Sequence, residues 1–560
     1  MVKSVLKNGT SFLFQTQKTI ISAASIISIT YALAALLSFV RTRVLSSYFG
    51  DSSDLGVFFT ADRIPSFIFS ILVVGTFSSV FIPIFTSYMK KDEGEAWHIS
   101  SSIINISLFA FLLLGILAFI FAKKLMFAMS LGNFTESELL LGEELMRIMV
   151  VAQIILIVSS FVTSILQSFR YFLVPSLAPV LYNVGMILGV VFLAPFMGVR
   201  SAAYGVVIGA ILHLLIQLPL LKRVNFSHSF SLDFKEKGVR EILKLTPSRL
   251  LASAINQVSA LIDTSLAILI SSSSVVVFKF AEQLQSFPIN LFGVSIANAA
   301  LPTLAYESDD QKFEKFKETF TTSLHQMLFL VIPAAIVLLV LRVPVVRLVY
   351  GTSKFSWFAT LATSYAVAFF SLSIFSQSAV YLVTRAFYAL HDTKTPLKVM
   401  LFTIPFDVAF SYYLVKVLNY GVWSIAFSYS VSSIFDFLIL MFLLHKKVSG
   451  FNLESLFNPF VKISYAALFM GISLYAPMKL LEKFIFDTTR TVPLLILTLT
   501  ACLFGFLSYL LFTKVFSVRE VELLYRLIRR IGFKSGVEAA TSVASVASGD
   551  VPGGVQDQSL

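Results

Sequence analysis

The segment FTADRIPSF at residues 59–67 returns about 220 residues later as KFAEQLQSF at residues 279–287. This pairing sets Ala61 against Ala281, Asp62 against Glu282, Ser66 against Ser286 and Phe67 against Phe287. Further along, Pro83 pairs with Pro302, Pro175 with Pro396, and GVRS at Gly198 with GVWS at Gly421. One such match means little in so apolar a sequence, but a series whose offset stays near 220 argues for an internal duplication. Six spans fit into that offset, so the two copies share one orientation in a membrane, with a translocation path expected between them.

The rest of the chain agrees with a membrane setting. Of 560 residues, 57% are hydrophobic and 13% charged, and the mean hydropathy is +0.85, whereas soluble chains carry roughly 25% charged residues. A soluble enzyme, a one-span receptor and a large ectodomain are excluded. Apolar runs of spanning length predict fourteen helices, near 21–46, 57–88, 97–122, 140–168, 174–197, 201–221, 247–270, 274–303, 319–341, 358–384, 396–416, 421–444, 459–479 and 491–513. The expected fold is an all-α polytopic membrane protein, with two parallel six-helix lobes plus two C-terminal helices. The divisions are a cytoplasmic lead-in at 1–19, an N-lobe at 20–230, a C-lobe at 231–448 and the two extra helices at 449–515. An amphipathic interfacial helix at 516–534 and a disordered tail at 535–560 complete the chain.

The net charge of +12 would in a soluble protein point to nucleic acid; here it reports topology. With both termini cytoplasmic, roughly 27 Lys and Arg fall inside and roughly 10 outside, leaving about 6 within the spans. Lys222, Arg223, Lys235, Lys237, Arg240 and Lys244 lie on the inner side, while the first outer loop carries Asp51 and Asp54. Cys502 is the only cysteine, and the six histidines are scattered. No disulfide within the chain, thiolate metal site or HExxH pair is available, and no phosphate-binding loop for ATP occurs.

Charges kept at membrane depth need a partner, water or a function. Helices 1 and 2 carry Arg41, Arg43, Asp62 and Arg63; helices 7 and 8 carry Asp263, Lys279 and Glu282. These are the first two helices of each lobe, which favours a shared polar cavity. Arg41 and Arg43 are about 200° apart on a helix, so Arg41 is the better candidate for the cavity and Arg43 fits equally well at the interface. Lys279 and Glu282, three residues apart, are able to neutralise each other. Arg41, Arg63 and Lys279 would attract an anion such as a phosphate-linked headgroup, with Asp62, Asp263 and Glu282 holding the cations between cycles. Asp407 follows Pro405 in helix 11 and marks a candidate site for a monovalent cation or proton.

The stretch at residues 38–85, with VPSLAPVLYNVGMILG from Val174, FPINLFGVSIANAALPTL from Phe287 and FYALHDTKTPLKV from Phe387, resembles the MurJ (MviN) lipid II flippases of the multidrug/oligosaccharidyl-lipid/polysaccharide exporter superfamily. The resemblance implies two lobes in a V around a cationic central cavity and no resident cofactor. It also implies alternating-access transfer of an undecaprenyl-pyrophosphate-linked peptidoglycan precursor to the outer leaflet, driven by an ion gradient, with Na+ or H+ as candidate coupling ion, or by membrane potential rather than by ATP. It places the chain in a bacterial cytoplasmic (inner) membrane as a monomer whose other partners are membrane lipids. Arg41 matches the family's helix 1 arginine, and Arg63 a basic position in helix 2. Thr42, Ala35, Ser70 and Gln283 depart from charged positions of the family pattern; Lys279, one turn before Gln283, and Arg43 are the candidate compensations. The competing readings are an exporter of another polyprenyl-linked saccharide, a membrane glycosyltransferase or polymerase, and a transport-dead scaffold.

Overall fold

A backbone in hydrocarbon must satisfy its own N–H and C=O groups, so apolar runs of this length fold as helices. In the computed structural model, which describes residues 20–71, 80–308, 313–484, 488 and 490–522, all described regular structure is helical. The N-terminal half comprises α1 (Ile20–Phe49), α2 (Ser53–Phe69), α3 (Ile82–Met89), α4 (Glu93–Ile120), α5 (Ala122–Met129), α6 (Glu136–Ser168), α7 (Leu173–Met197), α8 (Arg200–Leu215) and α9 (Leu218–Leu221). The C-terminal half comprises α10 (Lys237–Ile270), α11 (Ser272–Pro288), α12 (Ser295–Glu307), α13 (Glu314–Val340), α14 (Arg342–Tyr350), α15 (Trp357–Ser371), α16 (Ile374–Ala389), α17 (Lys394–Tyr412) and α18 (Trp423–Lys447). Two long helices follow, α19 (Leu453–Phe484) and α20 (Thr491–Val515).

Among the described residues, eleven helices are long and apolar enough to span a membrane, and α15 with α16 forms a twelfth span bent by 45°. The two other expected spans fall on α2 with α3 and on α10. Helix starts carry side-chain caps: Ser52 accepts from Leu55 N, Asp92 from Glu95 N and Ser271 from Ser274 N, and Thr135 with Glu138 forms a capping box. Several boundaries differ from expectation. Helix 7 begins at Lys237 rather than 247, because the cap at Glu236 extends it through a charged first turn. Helix 8 is interrupted by a π turn at Ile289–Val294, next to Pro288. In helix 10 the break at residues 372–373 is stitched by Ser373, which accepts from Gln377 and Ser430. Residues 1–19 and 523–560 lie outside the described residues, and with them most of the expected amphipathic helix and the whole tail.

Close helix approach in a membrane depends on small residues. Gly185 and Gly189 of α7 face Gly209 and Gly205 of α8; a Cβ at Gly189 would lie 2.3 Å from the Cα of Gly205, and one at Gly185 2.5 Å from that of Gly209.

Three apolar cores organise the chain. One, around Leu45, Leu55, Phe58, Leu266, Phe280 and Tyr350, draws on both halves. A second, around Phe81, Trp97, Phe161 and Leu220, belongs to the N-terminal helices and the start of α10. A third joins Phe316, Phe387 and Leu440 to Ile463 and Leu497 of the last two helices. The halves therefore share a core at one end and keep separate cores at the other, which is the packing basis of the V.

Candidate functional site

Arg63 projects from α2 where that helix passes α10 and α11. Its Nε donates to Thr264 Oγ1 at 2.9 Å, and its guanidinium lies 3.8 Å from the Glu282 carboxylate. Lys279 reaches the same carboxylate from one turn earlier on α11. Two cations from different halves thus share one acid. The acid is also the most accessible member, with a side chain 39% exposed against 17% for Arg63 and 15% for Lys279.

Arg41 lies beside this cluster. Its Nη2 donates to Ser38 Oγ at 3.3 Å, and Gln283 Nε2 reaches the same hydroxyl at 3.4 Å. The Arg41 Nε is buried without a hydrogen-bond partner among the described residues. Asp62 accepts from Ser66 at 3.1 Å, Ser66 accepts from Gln153 of α6 at 3.3 Å, and the carboxylate is within Coulombic range of Arg63 and Arg41. Consecutive residues 282 and 283 of α11 therefore join an Arg63 cluster to an Arg41 cluster.

Arg43, a candidate binding residue from the sequence, lies elsewhere. Its Nη1 donates to the carbonyls of Leu348 (2.6 Å) and Val349 (3.2 Å), which belong to the last turn of α14, where free carbonyls favour a cation. The 200° separation from Arg41 turns it away from the cavity. It joins a seal across the shared-core end: Ser46 donates to Tyr350 O, Thr352 to Ser46 O and Lys354 to Tyr48 O, while Ser356 donates twice to Asp51. Gly50, at φ +62°, and Gly56 admit opposing backbone so closely that a Cβ would lie 2.0 Å from Lys354 O and 1.9 Å from Ser272 O, respectively.

A family model described as lipid II flippase MurJ matches residues 45–493. The chain belongs to the lipid II flippase MurJ family. Members of this family are transporters rather than enzymes. The chain is 29% identical to the probable lipid II flippase MurJ of Buchnera aphidicola subsp. Acyrthosiphon pisum, over 81% of this chain and 90% of that one. To that of Thermotoga maritima it is 28% identical, over 87% and 94%. Among solved structures, a lipid II flippase MurJ in an inward closed conformation superposes with a TM-score of 0.72 at 24% identity, covering 88% of this chain and 98% of that one. An inward-facing multidrug resistance MATE family transporter gives 0.61 at 16% identity, covering 76% and 98%.

Within this MurJ family member a second polar site lies between α10, α17 and α18. Asp407 is 3% exposed and accepts from Ser428 Oγ at 2.7 Å. Asp263 is 5% exposed, has a buried Oδ1 without a hydrogen-bond partner among the described residues, and lies within Coulombic range of Asp407 and of Glu282. Asp263 thus faces Asp407 as well as the cation cluster, with which it was grouped from the sequence. No group of three or more His, Cys, Asp or Glu suited to a metal occurs among the described residues. Two carboxylates with hydroxyls suit a hard monovalent cation or a proton.

The sequence pointed to charges and overlooked their neutral partners. Thr264, Ser38, Ser66, Gln153 and Ser428 are ordinary helix residues whose roles arise from which helix they oppose. Ser70, at a departure from the family pattern, accepts from Gln257 of α10 at 3.2 Å.

Proposed function

We propose that this chain carries lipid II, the undecaprenyl-pyrophosphate-linked peptidoglycan precursor, from the inner to the outer leaflet of a bacterial cytoplasmic membrane by alternating access. The observation that carries the reading is the carboxylate of Glu282 held between Arg63 and Lys279 at the junction of the two halves. A pyrophosphate offers the same cations more oxygens and more charge, and Arg63 is able to take it bidentately. Displaced Glu282 has open space into which to turn. Arg41, next along the junction, extends the positive field, and Lys279 supplies the charge that Gln283 lacks. All these groups come from one chain, so a monomer suffices.

The excess of basic residues on one side supports cytoplasmic termini. The seal made by residues 43–56 and 348–356 then faces outward, and the end with separate cores faces inward. Outward opening requires the seal to break, which exposes the Arg63 cluster to the other leaflet. The Asp263–Asp407 pair is the proposed coupling site for Na+ or H+. Arg63 lies within Coulombic range of Asp263 and offsets part of the charge, and a cation or proton would balance the rest; α10 carries both Asp263 and Thr264, linking that site to Arg63.

Proteoliposomes with purified lipid II test the function by headgroup exposure on the far leaflet. Transfer by the native chain and its loss in Arg41→Ala and Arg63→Ala are expected; transfer unchanged in both variants would remove the grip. Rescue of a strain depleted of its own lipid II flippase tests the substrate against other polyprenyl-linked saccharides. Asp407→Asn should abolish dependence on the Na+ or H+ gradient.

A further inference from the structure

The segment joining α9 to α10 is not a plain cytoplasmic loop. It climbs along α4 and returns. Phe226 packs on Trp97 with ring centroids 5.4 Å apart. The tip lies higher, where Asn105 Nδ2 donates to the carbonyls of Ser229 and Ser231, both at 2.9 Å. Ser102 and Ser231 share a hydrogen bond of 2.6 Å, and Ser229 N donates to Ser101 Oγ at 3.1 Å. By residue 233 the chain has descended, and Asp233 lies 3.6 Å from His98. From the level of Trp97 to that of Asn105 is a rise of roughly 12 Å.

The depth of that tip follows from the other end of the helix. Lys123 and Lys124 mark the opposite interface, and a hydrocarbon layer of ~30 Å takes about 20 helical residues. Counting back from Lys123 reaches about residue 103, so Ser101, Ser102 and Asn105 straddle the near boundary of the hydrocarbon. Irregular backbone persists at such depth only when its polar groups find partners. The serines and asparagine of α4 supply them. Ser229 bonds to the helix through its backbone, and the alternation in residues 230–234 turns Ser231 and Asp233 to the helix and leaves Phe230, Leu232 and Phe234 outward, at 97%, 51% and 54% exposure. Lys222, Lys235, Lys237 and Arg240 flank the strap.

We propose that residues 226–236 form a phospholipid-binding strap that inserts Phe230, Leu232 and Phe234 among the acyl chains at the near interface and sets the flanking Lys and Arg on anionic headgroups. Apolar tips beneath a basic collar are the pattern of an interfacial anchor. Because the strap is bonded to α4 and runs on into α10, it fixes the membrane depth of the joint between the two halves. This site is distinct from the anion cluster and independent of which headgroup is transported.

The test places an NBD fluorophore on Phe230→Cys in a Cys502→Ser background of the full chain, reconstituted in phosphatidylglycerol–phosphatidylethanolamine vesicles. Phe230 is highly exposed and meets the His228 ring edge-to-face at 5.1 Å, a surface contact, so thermal unfolding should stay close to that of the Cys502→Ser parent. The proposal expects a blue-shifted emission quenched at least twofold by phospholipids carrying a nitroxide near the acyl carbonyl, and little quenching by aqueous iodide. Lys235→Gln with Lys237→Gln should weaken nitroxide quenching. Iodide quenching without nitroxide quenching would overturn the proposal. A blue shift that arises only after lipid II is added would also overturn it, by assigning the strap to the substrate's tail.

Discussion

Between residues 43 and 56 the N-terminal helices meet the C-terminal ones mainly through main-chain oxygens, hydroxyls and glycines, and the charged side chains there, Arg43, Lys354 and Asp51, bond to carbonyls, a hydroxyl and a backbone N–H; a few residues further along α2, at Arg63, charged side chains meet one another. The seal buries apolar surface and closes chiefly on backbone and hydroxyl groups, so it depends above all on close approach. The anion cluster holds two cations on one acid in a part of the molecule that is costly for charge, so it persists only because its members pair or await a ligand. In the proposed cycle one region separates and the other exchanges partners. Substitutions that affect them differently test that distinction.

The largest effect belongs to Arg63. A charge-assisted hydrogen bond contributes about 1.5–3 kcal/mol, so loss of the Arg63 contact to the transported pyrophosphate in Arg63→Ala should reduce lipid II transfer by roughly 10- to 100-fold, measured by headgroup exposure in proteoliposomes. Transfer within threefold of the native rate would break the view that charge exchange defines this region.

Gly56 probes the seal. A Leu side chain there meets the Ser272 carbonyl, so Gly56→Leu should hold the seal open and slow transfer by roughly tenfold, a wedge costing ~1–3 kcal/mol in a packed contact. A thiol at Ser46→Cys, in a Cys502→Ser background, should then react with impermeant reagents from the sealed side. Unchanged reactivity would mean that the glycine is packing filler and not part of a gate.

A smaller effect, on stability alone, is expected where the same glycine chemistry serves no moving part. Gly189→Leu forces α7 from α8 and should lower the thermal unfolding midpoint by an amount corresponding to ~1–3 kcal/mol. Transfer per folded molecule should stay near native. A transport defect as deep as that of Gly56→Leu would erase the contrast between static and gating glycine contacts.

These differences also explain what was legible in the sequence. Fourteen apolar runs and the repeat at residues 59–67 and 279–287 carried the fold, because hydrophobic length and duplicated spacing survive in one dimension. Arg41, Arg63, Lys279 and Glu282 were legible because a charge inside a span is rare. Arg43 looked like its neighbour and took another role, since its partners are carbonyls at Leu348 and Val349 that any residue type would present. Thr264 and Gln153 carried no signal for the same reason: a hydroxyl or amide in a helix acquires meaning only from the helix it faces. The strap at residues 226–236 was hidden by its basic flanks, which read as an ordinary cytoplasmic loop.

The smallest effect lies at the end of the molecule away from the seal, where Asp392 joins the loop before α17 to the end of α18. Its carboxylate accepts from Lys447 Nζ at 2.6 Å and from Thr395 Oγ1 at 2.7 Å, and also from Thr395 N. Partial burial alone would raise this acid, but the Lys447 and Thr395 hydrogen bonds outweigh burial and bring it from 3.8 down to about 2. Because the folded value is depressed, the contact's contribution is fully present above the unfolded value and fades as the pH falls from about 4 towards 2. A partly exposed pair of this kind contributes ~0.5–1 kcal/mol. Asp392→Asn should therefore lower stability by that amount at pH 7, with native and variant converging near pH 2, and should leave transfer at pH 7 unchanged. An equal stability difference at both pH values would show that Asp392 acts by packing. A loss of transfer without a loss of stability would extend the gating machinery to this end, and the division between a seal that moves and a distal clasp that holds would fail.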